Sequence, residues 1–185
     1  MSTKLDTILV VDIEATCWNG KIPAGQESEI IEIGISSLDI ATGQPLEKDS
    51  ILVKPTRSTV SNFCTQLTTL TQEQVNQGIT FDEACRILKK KYRASERVWA
   101  SYGEYDRNQF TKQCQSFGLK YPFGPRHINV KNLLAIMYAL PKEVGMSRAL
   151  EILNLPLEGT HHRGGDDAWN IAKILSHLIL SSRKT

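Results

Sequence analysis

The densest apolar run in the chain is Thr7-Ile8-Leu9-Val10-Val11-Asp12-Ile13-Glu14, β-branched and unbroken until two acids enter at its end. Such a run predicts a strand buried on both faces, in the middle of a sheet. A polar stretch from Asn19 to Ser28 separates it from Glu29-Ile30-Ile31-Glu32-Ile33-Gly34-Ile35-Ser36, which predicts a second strand. The turn residues Ala41-Thr42-Gly43-Gln44-Pro45 lead to a third, from Asp49 to Lys54. Connections this short favour an antiparallel meander.

The period then changes. Thr80-Phe81-Asp82-Glu83 has the spacing of a capping box, and helical periodicity continues from Ala84 to Tyr92. Val98-Trp99-Ala100-Ser101 predicts a short strand, and Asp106 to Phe117 a helix closed by Gly118. His127-Ile128-Asn129-Val130 predicts a last strand, followed by helices over Lys131 to Leu140 and Ser147 to Leu153. A terminal helix runs from about Asp166 to Ser181, with Ala168, Ile171, Ala172, Leu175, Leu178 and Ile179 on one stripe. A meander followed by alternating helices and strands predicts an α/β domain with a mixed sheet. There is no internal repeat, low-complexity tract or linker-like shift in composition.

Composition narrows the class without choosing a function. A chain of 185 residues, 41% hydrophobic and 23% charged, fits one ordinary globular domain. The net charge of +2 and a pI near 8.3 neither require nor exclude a polyanionic partner, because a local patch matters more than the sum. Cys17, Cys64, Cys85 and Cys114 contain no C-x-x-C pair, so a zinc knuckle or thioredoxin-like motif is not expected, and buried reduced thiols are. The N-terminus, Met-Ser-Thr-Lys-Leu-Asp, lacks a basic region followed by an apolar stretch, and no run reaches membrane-spanning length. The expectation is a cytoplasmic protein.

Three groups of polar residues carry candidate chemistry. Asp12 and Glu14 are two apart at the end of the strongest strand, so they share a face about 6 to 7 Å apart along the chain. Carboxylates so close to a buried strand need a neutralising charge, which a pair of Mg²⁺ or Mn²⁺ ions would provide. A position beyond the strand end, in solvent, accounts for the spacing equally well. Asp106 follows a short strand at a helix start, where a capping Asp is itself common. His161-His162-Arg163-Gly164-Gly165-Asp166-Asp167 opens the terminal helix, where aspartates also suit the helix dipole. Chance alone would produce roughly 0.2 matches to His-x-x-x-x-Asp in a chain of this composition. A histidine has the right ordinary pKa, about 6.5, to take a proton from water near neutrality.

Together and in this order, Asp12-Ile13-Glu14, Asp106, and His162 with Asp167 resemble the DEDDh 3′→5′ exonuclease family, which is DnaQ-like. His161 with Asp166 fits the same spacing; His162 is preferred because it leaves Asp166 as the extra acid common in that motif. Asp12-Ile13-Glu14-Ala15-Thr16-Cys17-Trp18 is most similar to the branch of the enhanced-RNAi exonuclease and KapD-like RNA-trimming proteins. Glu29 to Gly34, Phe63 to Thr71 with Gln74-Val75, Gly103 to Asp106, and Gly165 to Ala172 extend the likeness, from about residue 7 to 176. The Asn19-Gly20-Lys21 stretch has no clear match, and the RNA-binding domain or extensions of some relatives have no counterpart here.

The resemblance implies a ribonuclease-H-like mixed five-stranded sheet, three antiparallel strands then two parallel, flanked by helices. It implies a single exonuclease domain over residues 1–185, with a core from about 7 to 180. It further implies two divalent ions, Mg²⁺ or Mn²⁺, on Asp12, Glu14, Asp106 and Asp167, with His162 as general base. The partner would be a nucleic acid with a free 3′ end, RNA favoured over DNA, releasing nucleoside 5′-monophosphates. No membrane and no obligatory protein partner are expected. Backbone groups at Ala15 and Thr16 would meet the terminal ribose hydroxyls, Tyr105 would stack on the terminal base, and Leu70 and Thr71 would border the base or sugar.

Lys89-Lys90-Lys91-Tyr92-Arg93 reads better as a solvated helix end than as an RNA track. Arg126, His127 and Arg163 are further candidate phosphate contacts. The alternatives are a DNA exonuclease of proofreading or repair type, and a nucleic-acid-binding module that has lost catalysis. Presence of all four acids and the histidine argues against the latter.

Overall fold

The computed structural model describes residues 4–183. Of the residues on which the leader reading rests, 1–3 lie outside that range, as do 184 and 185 of the expected domain. The chain runs β1 (Lys4–Ala15), β2 (Ile30–Asp39), β3 (Pro45–Leu52), α1 (Asn62–Thr68), α2 (Gln72–Val75) and α3 (Phe81–Lys90). It continues β4 (Arg97–Ser101), α4 (Tyr105–Ser116), β5 (His127–Asn129), α5 (Val130–Met137), α6 (Met146–Ile152) and α7 (Gly164–Ser182). Strand order is β3-β2-β1-β4-β5. β1 pairs antiparallel with β2, and β2 with β3, while β4 is parallel to β1 and β5 to β4. This is the mixed sheet expected, with the β-branched run of β1 at its centre.

Alternation along β1 divides the core. Leu9, Val11 and Ile13 pack on one face with Ile33, Ile35, Trp99 and Phe110. Ile8 and Val10 pack on the other, against Ile171, Leu175 and Leu178 of α7. Asp12 and Glu14 continue the α7 face, so the period of two that builds the core also aims both acids toward the start of α7. That helix start comes very close to the sheet. A Cβ on Gly34, the β2 partner of Asp12, would lie 1.8 Å from the Gly164 carbonyl carbon, so only glycine permits the approach.

The sequence pattern missed two helices. α1 has seven residues and α2 four, too few to display a 3.6-residue period. Both are set by their caps. The Ser61 side chain accepts from Cys64 N, and Thr71 and Gln74 form a reciprocal capping box. β3 begins at Pro45, four positions before the expected Asp49, as an edge strand whose outward residues are polar. α5 stops at Met137 rather than Leu140, and Ala139 just beyond it is left-handed, at φ 47°. The four cysteines are free, Cys17 half-buried and the others buried. Among the described residues no helix is long and apolar enough to cross a membrane.

Candidate active site

The end of β1, the start of α4 and the start of α7 enclose a cleft of about 330 Å³. Asp12, Glu14, Asp106, His161, His162 and Asp167 all line it. One carboxylate oxygen from each of Asp12, Glu14 and Asp167 lies within 4.8 Å of the other two. Asp106 is not a helix cap. It lies in the first turn of α4, and its Oδ1 accepts a hydrogen bond across the domain from Ile13 N at 3.0 Å. The backbone between the two β1 acids therefore orients the third.

Burial holds these acids toward the protonated form, and repulsion by neighbouring acids adds to it at Asp12 and Glu14. Asp12 is raised well above the carboxylate range by desolvation, then by Asp106, Glu14 and Asp167. Glu14 is pushed up to about 8 by desolvation, then by Asp167, Glu32 and Asp106. Asp106 reaches about 6 through desolvation, opposed chiefly by the hydrogen bond from the Ile13 amide. Asp167 is raised by desolvation against the His162 amide and His161. The nearest guanidinium, that of Arg163, is committed to Glu32 by two bonds of 3.1 Å. An all-oxygen cluster lacking its own counter-cation has the donor set that hard divalent cations prefer, so the residues fit such a metal.

The two adjacent histidines behave differently. His162 sits at φ 63° and its amide donates to Asp167 Oδ2 at 2.9 Å. Its ring pKa is lowered by desolvation and by His161, with Asp167 opposing. The His161 ring contacts Asp167 through Nδ1, at 3.0 and 3.2 Å from its two oxygens. Asp166 turns away from the cleft, accepting from Thr160 N at 2.7 Å and pairing with Lys48. The acid of this segment that faces Asp12 and Glu14 is thus Asp167.

Of the expected substrate contacts, Ala15 and Tyr105 line the cleft, and Tyr105 is 58% exposed. Thr16 does not. It is fully buried, its amide donates to Glu29 O, and its hydroxyl bonds Ser58 and Glu29 N. Leu70 is also misplaced as a cleft residue, because it is buried in a small core with Ile31, Cys64 and Val75. Thr71 caps α2 and faces a separate groove with Val60 and Gln72. The apolar walls come instead from Leu67, Tyr102 and Met146. Leu67 sits one turn after Phe63 on α1, a helix the pattern did not reveal, so its direction was illegible.

The remaining cations lie elsewhere. Lys89 donates to Lys120 O, Lys91 pairs with Asp49, and Arg93 with Glu96, and none of them lines the cleft. Arg126 does not line it either. His127 is packed on Trp99 and bonded to Ser101, and Trp169 donates to Glu158.

The family model described as Exonuclease matches residues 9–175, a span that contains every one of these acids. The chain belongs to the exonuclease family. It is 33% identical over 187 residues to the human 3′-5′ exoribonuclease 1 and 32% to the rat protein. Each match covers 94% of this chain, and 52% and 53% of the human and rat proteins. The chain thus spans about half the length of these curated relatives. Among solved structures it is similar to the nuclease domain of 3′hExo, a DEDDh family member bound to rAMP. There the TM-score is 0.86 and the identity 29%, covering 98% of this chain and 95% of that one. A 3′-exonuclease solved for 3′-end-specific recognition of a histone mRNA stem-loop matches at a TM-score of 0.84 and 29% identity, over 97% of this chain and 65% of that one.

Proposed function

We propose that this chain is a 3′→5′ exoribonuclease that releases nucleoside 5′-monophosphates, using two Mg²⁺ or Mn²⁺ ions. The observation that carries this is the crowd of carboxylates, Asp12 half-buried and the other three buried, with no lysine or arginine paired to them among the described residues, opening on the same cleft as His162. Asp12, Glu14, Asp106 and Asp167 would hold the ions. When bound, such ions lower the pKa of water and neutralise charge developing on phosphate and leaving oxygens.

The chain's own groups do the rest. His162, kept below its ordinary pKa, is unprotonated at neutrality and accepts the proton of the attacking water. Water adds to the last phosphorus, the bond to the preceding 3′ oxygen breaks, and that oxygen takes a proton from solvent to become the new 3′ hydroxyl, while His162 returns its proton to solvent. Asp167 bonds the His162 amide, so one side chain both faces the acid cluster and fixes the backbone that carries the base. Tyr105 and Leu67, exposed at the mouth by 58% and 38%, offer surfaces for the terminal base. RNA over DNA is supported by the exoribonuclease names of the relatives and by the rAMP in the similar nuclease domain.

The test is a time course on 5′-labelled single-stranded RNA and the matching DNA, with Mg²⁺, Mn²⁺ or EDTA. A metal-dependent ladder that shortens from the 3′ end, faster on RNA and abolished by His162→Ala, is expected. If Tyr105 stacks on the base, Tyr105→Ala raises KM by about tenfold with little change in kcat. Binding of both polymers without cleavage would leave a nucleic-acid-binding module in place of an enzyme.

A further inference from the structure

His161 has no part in the chemistry above, yet it is held against it. Its Nδ1 stands 3.0 Å from Asp167 Oδ2, and its ring stacks on His162 at 4.0 Å between centroids, 20° apart in plane. The left-handed backbone at His162 turns two consecutive side chains to one side, where an extended backbone would send them apart. As a result, ligand atoms of His161, His162 and Asp167 all lie within 4.8 Å of one another.

This donor set differs in kind from the carboxylates beside it. Two imidazoles and one carboxylate suit zinc-class ions, whereas Mg²⁺ prefers oxygen donors and water. Zinc bonds of about 2.0 to 2.2 Å at tetrahedral angles place neighbouring donors about 3.3 to 3.6 Å apart. The His161 Nδ1 separations of 3.0 and 3.2 Å from the two Asp167 oxygens lie within a few tenths of an ångström of that spacing. An ion bridging Nδ1 and Oδ2 would sit off the line between the two atoms and require their side chains to turn toward it, rotation of the His162 ring would supply a third ligand, and water a fourth.

We propose that His161, His162 and Asp167 form an inhibitory site for a zinc-class divalent ion, overlapping the site used for cleavage. Occupancy engages the His162 ring and draws the Asp167 carboxylate away from Asp12 and Glu14. The inhibition rests on the exonuclease reading of the cleft, but the binding does not.

The experiment therefore measures binding first. Zn²⁺ is titrated into the chain in excess Mg²⁺ by calorimetry and by competition with a chromophoric zinc chelator. Wild type is compared with His161→Ala, His161→Asn and, as a thiol control, Cys17→Ser. The expected result is one Zn²⁺ per wild-type chain, held at least about tenfold more tightly than by either His161 variant and unchanged in Cys17→Ser. Cleavage in Mg²⁺, scaled to each protein's own zinc-free rate, should need at least about tenfold more Zn²⁺ for half-inhibition in the His161 variants. Equal zinc affinity in wild type and both His161 variants would overturn the proposal, as would loss of binding in Cys17→Ser alone. Zinc binding that depends on His161 in a chain without nuclease activity would refute the exonuclease reading and the inhibition built on it, leaving the ion site standing.

Discussion

Glu29 and Glu32 are as deeply buried as any acid in the cleft, each 1% exposed, and Glu32 lies directly across from Glu14 in the β1–β2 register. Their surroundings are nevertheless opposite. Glu29 accepts from Thr56 N, Arg57 N and the Ser58 hydroxyl, at 2.7 to 3.0 Å. Glu32 accepts two bonds from Arg163, one from Gly164 N at 2.9 Å and one from Ser50 at 2.6 Å. No hydrogen bond to the carboxylates of Asp12 or Glu14 appears among the described residues, and both are pushed upward in pKa by burial and by other acids. Burial alone does not set Asp12 and Glu14 apart from the framework acids; burial without donors does. The satisfied pair builds the frame. Glu32 takes the first amide of α7, whose N-cap residue Arg163 makes no side-chain cap, and so seats the segment that carries His162 and Asp167.

The contrast predicts opposite signs for substitutions in the two groups. Glu14→Gln should cut the cleavage rate by about a thousandfold or more, since several kcal/mol of charge stabilisation depend on such a ligand. Its metal-free melting temperature should rise at neutral pH, because glutamine folds without the proton uptake that burial imposes on Glu14. A melt in EDTA that falls instead would place Glu14 with the framework acids. Glu29→Ala should do the reverse, losing about 3 kcal/mol of stability as its buried donors lose their acceptor. Denaturant titration measures that loss, and the cleavage rate per folded molecule should change little.

A smaller effect sharpens the comparison through pH. The folded chain holds a proton on Glu14 up to about 8, against an ordinary value of 4.5. The stability this contributes without metal is present below 4.5 and is lost as pH rises to about 8. Asp106 adds a similar loss between 3.8 and about 6. His162, shifted downward, works in the opposite direction, so the difference between wild type and Glu14→Gln isolates the Glu14 contribution. In EDTA that difference should widen by a few degrees of melting temperature across the window, and Mg²⁺ should abolish the widening. A difference that is flat in EDTA would mean that Glu14 is not held protonated.

Much of this was legible along the chain because it follows local periods. The β-branched run predicted β1 at the sheet centre, alternation put Asp12 and Glu14 on one face, and the apolar stripe from Ala168 to Ile179 predicted α7. Where the period was too short to register, at α1 and α2, the wall of the cleft was misread as Leu70 and Thr71 rather than Leu67. Leu70 and Thr71 lie in the connection after α1, where the left-handed Thr69 turns the chain back into the small core, and nothing in the local sequence fixed where that helix ended.

The sequence by itself determined the strands, the longer helices, their order and the acids at the end of the central strand, since these depend on the polarity of near neighbours. Tertiary structure alone decided the rest. It brought Asp106 onto Ile13 from 93 positions away, turned Asp167 inward and Asp166 outward, and gave Glu32 a guanidinium while leaving Glu14 none. These are questions of which donors reach which acceptors across the fold. Hydrogen bonding and desolvation depend on distance in space, which spacing along the chain does not encode.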